Sequence, residues 1–187
     1  MPHDDSIFFR RESRRSYLDK PVDPETLQRI YEKVRWSPSC NNNQPWRMVF
    51  VARGGIHHRA FAEALADGNQ WAAAAPILIA VCGRRADDYS REDNPVEYYQ
   101  FDCGLATMSL LLAAVDEGLM AHPMAGYSAP KVKAALEIPE DFEVLCVVSL
   151  GYKGPLESLD DITRKKDESP RTRKPQGEVI CEGLWKF

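Results

Sequence analysis

Apolar residues recur at helical spacing in four parts of the chain. Asp23-Pro24-Glu25 supplies an N-cap residue and a proline at the first helical position, and apolar residues follow at 27, 30, 31 and 34. This pattern predicts a helix over about 24–36. The segment 98–117 is apolar almost all round, which predicts a central buried helix. Shorter helices are predicted from Ile56 to about Leu65 and from Ser128 to about Leu136.

Short apolar runs rich in β-branched residues predict buried strands over 48–51, 77–81 and 144–148. The segment 119–127 begins like a strand, but Pro123 and Gly126 predict that it turns into a binding loop. Between helix and strand, residues 37–45 concentrate proline and asparagine, which predicts a polar loop. Helices and strands alternate irregularly, and no internal repeat is visible.

The last part of the chain carries contradictory signals. From Lys153 onward it is charged and contains proline, which is typical of a disordered tail. Its far end is nevertheless apolar at Val179, Ile180, Cys181, Leu184, Trp185 and Phe187. Exposing these side chains to water costs roughly 25 cal/mol per Å² of apolar surface. The tail is therefore predicted to dock on something.

The composition narrows the possible partners. A chain of 187 residues fits one domain. Its net charge is −4, which gives no global reason to bind nucleic acid or an anionic membrane, so any anion must be held locally. The first residues carry acid where a signal peptide is basic, and no apolar stretch approaches the roughly 20 residues of a membrane span. A cytoplasmic location is expected.

The five cysteines do not form a metal or disulfide pattern. They are scattered, with no CxxC pair and no histidine at ligand spacing. We interpret them as reduced thiols, most of them buried, and expect no metal site. Cys40 could suggest a nucleophile, but no His or Lys lies nearby in sequence to lower the pKa of its thiol, so that interpretation is rejected.

Positive charge is concentrated at both ends of this acidic chain, in Arg10–Arg15 and in Arg171–Lys174. Guanidinium groups suit phosphate because their fork donates paired, charge-assisted hydrogen bonds. Taken alone, each cluster is more often a solvated face that is paired with nearby acids. The pattern alone leaves both interpretations open.

Four segments, in order, resemble the signatures of the nitroreductase family. Residues 11–17 with Pro21-Val22 are similar to its opening RRSxRxF…PV, and residues 37–46 to its APSxxNxQPW. Residues 122–127 resemble its PxxGF segment, and residues 170–175 its terminal PRxRKP. Each motif is weak alone, but together they span nearly the whole chain. The likeness also includes departures, since Glu12 stands where the family has a basic residue and Cys40 where it has a small one.

The resemblance implies an α+β fold with a central, mainly antiparallel sheet flanked by helices. It also implies an intertwined homodimer in which a single domain, 1–187, has its core in 1–152 and an extended dimerisation tail in 153–187 that embraces the partner. The implied activity is an FMN-dependent oxidoreductase in which NAD(P)H reduces nitroaromatic, quinone or related acceptors by ping-pong hydride transfer at flavin N5. No catalytic side chain is then needed. Because GxGxxG and GxxxxGK[ST] are both missing, NAD(P)H is expected as a cosubstrate and FMN as the fixed cofactor.

Other functions stay open at this point. Specialised members of the family dehalogenate reductively, destroy their flavin or oxidise heterocycles. A non-catalytic flavin-binding module would carry the same basic clusters without turnover, and a structural interaction protein would leave both clusters solvated. The charged segment 84–99, with Tyr89, Pro95, Tyr98 and Tyr99 as ring contacts, is expected to line or cover the substrate side.

The resemblance also implies roles for individual residues. Arg11, Ser13, Arg171 and Arg173 would grip the FMN phosphate, with Glu12 inside the same motif. Arg15 would reach the ribityl chain and the N1/O2 edge of the flavin. The loop residues Ser39, Cys40, Asn42 and Gln44 would come from the partner subunit. The segment Pro123, Met124, Ala125 and Gly126 would bind the flavin, with the backbone N–H groups of Ala125 and Gly126 directed at N5 and O4, and Asn69 would make a mid-chain contact.

Overall fold

The computed structural model describes residues 5–186, so the sequence features at Met1–Asp4 and Phe187 lie outside it. Six α-helices and four strands are formed in this range. The helices are α1 Ile7–Arg10, α2 Pro24–Arg35, α3 His58–Ala62, α4 Tyr98–Asp116, α5 Ala129–Leu136 and α6 Asp161–Glu168. The strands are β1 Arg47–Ala52, β2 Ile77–Gly83, β3 Met120–Met124 and β4 Glu143–Gly151. Short 3₁₀ segments occur at Cys40–Asn42, Asp67–Ala74, Arg85–Asp87, Leu156–Ser158 and Gln176–Glu178.

The four strands form one antiparallel sheet in the order β1-β2-β4-β3. In its centre Ala80 of β2 pairs with Val49 of β1 and with Val147 of β4. Strand β2 is buried throughout and β4 is buried over its second half, as their continuous apolar runs predict. The expected α+β architecture, with an antiparallel sheet flanked by helices, is confirmed.

Alternate residues of β2 supply two hydrophobic cores, one on each face of the sheet. Ile77, Ile79 and Val81 pack on the side of α2 and α4. Leu78 and Ala80 pack on the opposite side, against the helices near Phe61 and Val132. This period-two alternation lets a single buried strand stabilise both layers of helices.

The two long helices follow the sequence closely. Asp23 caps α2 by accepting a hydrogen bond from the Thr26 N–H at 3.1 Å, and Pro24 occupies the first turn. The predicted helix over 24–36 is confirmed to within one residue. Helix α4 begins at the predicted residue, ends one residue before the predicted end and is buried along much of its length.

The prediction that Pro123 turns the chain is wrong. Strand β3 continues through Pro123, which lies opposite Val148 of β4. A proline is tolerated here because β3 is an edge strand of the four-stranded sheet, where an N–H group can face away from the ladder. The chain leaves the strand only after Met124, so the loop that follows β3 begins at Ala125.

Two helical segments differ from expectation. The helix predicted over 56–65 is limited to α3, His58–Ala62, with turns on either side. Helix α6 has no counterpart in the sequence analysis. It begins after Asp160, whose side chain accepts hydrogen bonds from the N–H groups of Ile162 and Thr163. Residues 169–186 beyond it are exposed.

Two further observations bear on function: the burial of Tyr99 and the character of the helices. Tyr99 is 1% exposed and belongs to the interior, so it does not offer its ring to a substrate surface. Of the helices within residues 5–186, none has the length and apolar character needed to cross a membrane.

Candidate functional site

The fold brings the two basic ends of the chain together around one cavity of about 240 Å³. Its lining comes from the segment after α1 and from the end of α6 with the chain that follows. These residues are Arg11, Glu12, Ser13, Arg14, Lys166, Asp167, Ser169, Arg171 and Arg173. The guanidinium of Arg171 donates to the backbone oxygens of Arg11 and Phe9, both at 2.8 Å. The first part of the tail therefore docks on the N-terminal segment of its own chain.

Both acids that line the cavity are paired with cations of the same chain. Glu12 accepts a hydrogen bond from Arg14 at 2.8 Å and another from Lys153 at 2.7 Å. Asp167 pairs with Arg15 at 2.6 Å. The charge of the Glu12 carboxylate is therefore offset by two neighbouring cations.

Among the residues that line the cavity, three arginines form no ion pair with a carboxylate within residues 5–186: Arg11, Arg171 and Arg173. Burial lowers the pKa of Arg11, and the charges of Arg173 and Arg171 lower it further. Ser13 accepts a hydrogen bond from the Arg11 guanidinium at 3.3 Å. The charges of Arg171 and Arg173 both act on Arg11 across a small cavity, so an anion bound there would stabilise the arrangement.

Arg15 points to a different neighbourhood from these three arginines. Its guanidinium is bonded to Asp167 on one side and lies 5.7 Å from the centre of the Trp71 ring on the other. Trp71 is in turn 4.7 Å from the ring of His122. Arg15 therefore connects the anion cavity with an aromatic surface.

His122 is fixed beside this surface by a contact between its Nδ1 atom and the backbone oxygen of Arg14 at 3.1 Å. Burial lowers the pKa of His122, and the nearby charge of Arg15 lowers it further. The ring is therefore neutral at neutral pH and adds no positive charge to the site.

Asn69 and Gly126 lie against each other at the end of β3. The Asn69 amide donates to the Gly126 carbonyl at 3.0 Å. A Cβ atom added to Gly126 would be 2.6 Å from Asn69 Nδ2. Met124 is buried in the core and Pro123 is half-buried within β3, whereas Ala125 is exposed. The small residues at 125 and 126 leave backbone groups accessible next to the Asn69 amide.

The loop Ser39–Gln44 occupies a separate place. Cys40 N–H donates to Asp102 of α4 at 3.0 Å, and Gln44 N–H donates to the Ser39 hydroxyl at 3.0 Å. Asn42 and Gln44 have positive φ values of 57° and 49°. Within residues 5–186, no hydrogen bond or ion pair joins this loop to the basic cavity, to Asn69 or to Gly126.

The structure adds residues that the sequence analysis did not select. Asp167, Lys166 and Ser169 lie in a charged segment without periodicity, so nothing in the sequence distinguishes one of its acids from another. Trp71 lies two residues after Asn69. Because tryptophan is rare, its presence there is the feature by which the sequence could indicate a site residue. Arg14 was quoted in the first motif without a role, and the structure shows it bonded to Glu12.

The site thus combines a cationic cavity, an aromatic surface and accessible backbone at a strand end. An elongated ligand with an anionic group at one end and a flat ring system at the other matches this order of groups. Within the described residues, no group of three or more His, Cys, Asp or Glu side chains is arranged to hold a metal ion.

Comparisons with known proteins agree on one family. A model of the nitroreductase family matches residues 9–70 and 58–152. A protein of Stenotrophomonas maltophilia (strain K279a), named for a proposed NADH dehydrogenase/NAD(P)H nitroreductase activity, is 30% identical over 169 residues. That alignment covers 81% of this chain and 85% of the relative.

Solved structures give the same result. A structure described as an oxidoreductase containing FMN superposes with a TM-score of 0.87 at 31% identity, over 100% of this chain and 94% of that chain. A structure from Desulfovibrio desulfuricans, described as a proposed nitroreductase in complex with FMN, has a TM-score of 0.76 at 22% identity. It covers 96% of both chains and supports the fold alone.

Proposed function

This chain belongs to the nitroreductase family, and on that basis we propose that it is an FMN-dependent oxidoreductase that uses NAD(P)H to reduce small acceptors such as nitroaromatics and quinones. The observation that carries the proposal is the cavity in which Arg11, Arg171 and Arg173 converge without a carboxylate partner among residues 5–186. A phosphate monoester carries about −1.5 to −2 charges at neutral pH and offsets this repulsion.

The residues around the cavity fit the rest of FMN. Arg11, Arg171, Arg173 and the Ser13 hydroxyl would hold the phosphate. Arg15, next to the cavity and above Trp71, would face the polar edge of the ring system. Asn69 and the backbone at Ala125 and Gly126 would supply hydrogen-bonding groups to the ring, since no bulky side chain covers them.

In the proposed reaction FMN, when bound, supplies the capacity to accept a hydride and to pass it on. The chain contributes orientation and electrostatics. Arg11, Arg171 and Arg173 anchor the phosphate so that the ring occupies one place, which raises the effective concentration of correctly placed reactants. Arg15 places a guanidinium where negative charge develops on reduction. The neutral His122 fills space beside Trp71 without adding charge.

We also propose that the working unit is a homodimer. Val179, Ile180 and Leu184 are 54%, 59% and 75% exposed, which is costly for apolar side chains in an isolated chain. An open apolar groove of about 530 Å³ lies between α2 and the edge strand β1 and is lined by residues such as Tyr31, Trp46 and Phe50. A tail from a second copy is the occupant that we assign to this groove, because an edge strand can accept an added segment.

The dimer would also complete the flavin site. In the single chain, the loop Ser39–Gln44 is bonded to α4, to Asp87, to Arg47 and within itself, and Asn42 is exposed. The amide N–H groups of the Asn42 side chain therefore have capacity for a ligand bound to the other subunit. Under this proposal residues 1–152 form the core of a single domain, 1–187, and the part of the tail after α6 reaches the partner. The segment 84–99 would border the acceptor.

The cysteines support a reducing compartment, for which we propose the cytoplasm. All five are free, and Cys82 and Cys103 are buried in the core. Burial raises the pKa of Cys82 to about 11 and that of Cys103 to about 12, so both thiols remain protonated and unreactive.

Binding of three related ligands tests the phosphate site. FMN, riboflavin and inorganic phosphate are each titrated into flavin-free protein, for the wild type and for Arg171→Ala/Arg173→Ala. Loss of two charge-assisted contacts, at about 1.5–3 kcal/mol each, should weaken FMN binding at least about 100-fold and leave riboflavin binding within about threefold.

The matched control is Arg59→Ala, which removes an exposed guanidinium on α3 far from the cavity lining and should leave all three affinities unchanged. The proposal fails if the wild type binds no FMN, or if the double variant binds FMN as tightly as the wild type. Turnover of NAD(P)H by the FMN-loaded protein separates an oxidoreductase from a non-catalytic flavin-binding module.

A further inference from the structure

Asp167 holds Arg15 by two separate bonds. Its Oδ2 accepts the Arg15 backbone N–H at 2.8 Å, and its Oδ1 accepts the Arg15 guanidinium at 2.6 Å. Arg14 also donates to the backbone oxygen of Asp167. A residue near the end of α6, 152 positions from Arg15 in sequence, therefore fixes both the backbone and the side chain of that arginine.

This carboxylate is taken completely out of water. The Asp167 side chain is 0% exposed, whereas the Arg15 side chain is 24% exposed and reaches over Trp71. A buried carboxylate without a cation would be strongly unfavourable. Since both Asp167 oxygens bond to Arg15, the guanidinium has one stable place, between the carboxylate and the ring.

Asp167 divides the cations of the site into two kinds. Arg11, Arg171 and Arg173 lack a carboxylate partner among the described residues, and they surround the cavity assigned to phosphate. Arg15 has such a partner, so its charge is largely offset at short range. A ring system next to Arg15 would thus meet a well-placed donor with little net charge.

We propose that Asp167 is a positioning residue that fixes Arg15 and limits the positive charge which the flavin ring receives from it, an inference that rests on the proposed function. Reduced FMN carries more negative charge than oxidised FMN, so a net cation at Arg15 would favour the reduced form. The negative charge of Asp167 offsets that of Arg15 and so opposes the preference for reduced FMN. The helix α6 thereby sets the balance between the two redox forms of the cofactor.

The measured quantity is the ratio of the dissociation constants for oxidised and reduced FMN. In Asp167→Asn the charge is removed while one oxygen remains to accept the Arg15 N–H. We expect the ratio to shift about tenfold towards the reduced form, a rise of about 30 mV in the two-electron midpoint potential.

Two further variants test whether the effect acts through Arg15. Arg15→Gln leaves the buried carboxylate uncompensated and should shift the ratio in the opposite direction. Arg15→Gln/Asp167→Asn removes both charges and should return the ratio to within about threefold of the wild type, since the pair is close to neutral as a unit. This comparison decides the question even if Asp167→Asn alone does not fold.

A purely structural role for Asp167 predicts something else. Thr163→Ala removes a buried, uncharged side chain from α6 outside the cavity that Arg15 and Trp71 line, and should weaken both redox forms equally and leave their ratio unchanged. The inference is overturned if Asp167→Asn leaves the ratio unchanged or lowers it, or if Arg15→Gln and the double variant share one ratio. Absence of FMN binding to the wild type would instead overturn the proposed function.

Discussion

Asn69 donates its side-chain amide to the carbonyl of Gly126 at 3.0 Å, joining a 3₁₀ segment to the loop that follows the edge strand β3. The two residues are 57 positions apart and are in such close contact that a Cβ atom at position 126 would require the Asn69 amide to move. The bond orders the backbone that we assign to the flavin ring, so disturbing it should affect cofactor binding more than folding.

Gly126→Ala should therefore weaken FMN binding. The new Cβ would lie 2.6 Å from Asn69 Nδ2 and force the amide away from its acceptor. Loss of one neutral hydrogen bond, about 0.5–1.5 kcal/mol, predicts about two- to tenfold weaker binding. Titration of flavin-free protein with FMN measures the effect.

The control is Gly104→Ala on α4, where an added Cβ meets no atom within 4 Å. It should raise the free energy of unfolding by about 0.5–1 kcal/mol, as alanine does in a helix, and leave FMN affinity unaltered. Equal affinity of Gly126→Ala and the wild type would mean that this loop does not contact the cofactor.

Deletion of residues 176–187 should weaken both the dimer and the retention of flavin. This segment carries Val179, Ile180 and Leu184, which are exposed on the single chain. Light scattering reports the mass, and visible absorbance reports bound flavin per chain. Ile56→Ser is the comparison, because Ile56 is 91% exposed outside the tail and its loss should change neither quantity. A truncated protein with the mass and flavin content of the wild type would refute the embracing tail.

The protein should lose stability as the pH is lowered through the range in which an ordinary histidine titrates. Burial lowers the pKa of His122 in the folded state. Below about pH 6.5 the unfolded chain takes up a proton that the folded chain does not, so the unfolded state is favoured. Stability from this group is complete above the ordinary pKa and is lost as pH falls towards the lowered value.

Urea unfolding of the wild type and of His122→Asn, at a series of values from about pH 7.5 to about pH 5, isolates this contribution. The wild type should lose more stability on acidification than the variant. Parallel losses in the two proteins would show that His122 titrates as it does in an unfolded chain.

The sequence predicts the framework of this fold well because that framework depends on local signals. The N-cap at Asp23, the apolar run of α4 and the β-branched runs of β2 and β4 are each specified by neighbouring residues. The sequence alone does not place Pro123 inside a strand, because a proline is tolerated there only if β3 is an edge strand. The order of the strands is a property of the assembled sheet.

The candidate site is predicted only where positive charge is concentrated in the sequence. Arg11, Arg171 and Arg173 could be named from two clusters, but their convergence results from tertiary structure. Asp167 could not be distinguished from the other acids of its segment, because its importance lies in complete burial against Arg15. Helix α6 does carry local signals, an N-cap at Asp160, an acid at Asp161 in the first turn and a base at Lys165 in the last, but its charged sequence has no apolar periodicity to indicate a helix.

The central claim is that this chain holds FMN and passes electrons through it, and one anaerobic experiment tests that claim directly. Protein loaded with FMN is mixed with NADH or NADPH without an acceptor, its visible absorbance is followed, and a quinone is then added. The account predicts that at least one nucleotide bleaches the flavin at a rate fast enough to support turnover, and that the quinone restores the absorbance. Flavin that binds but stays oxidised with both nucleotides would contradict it.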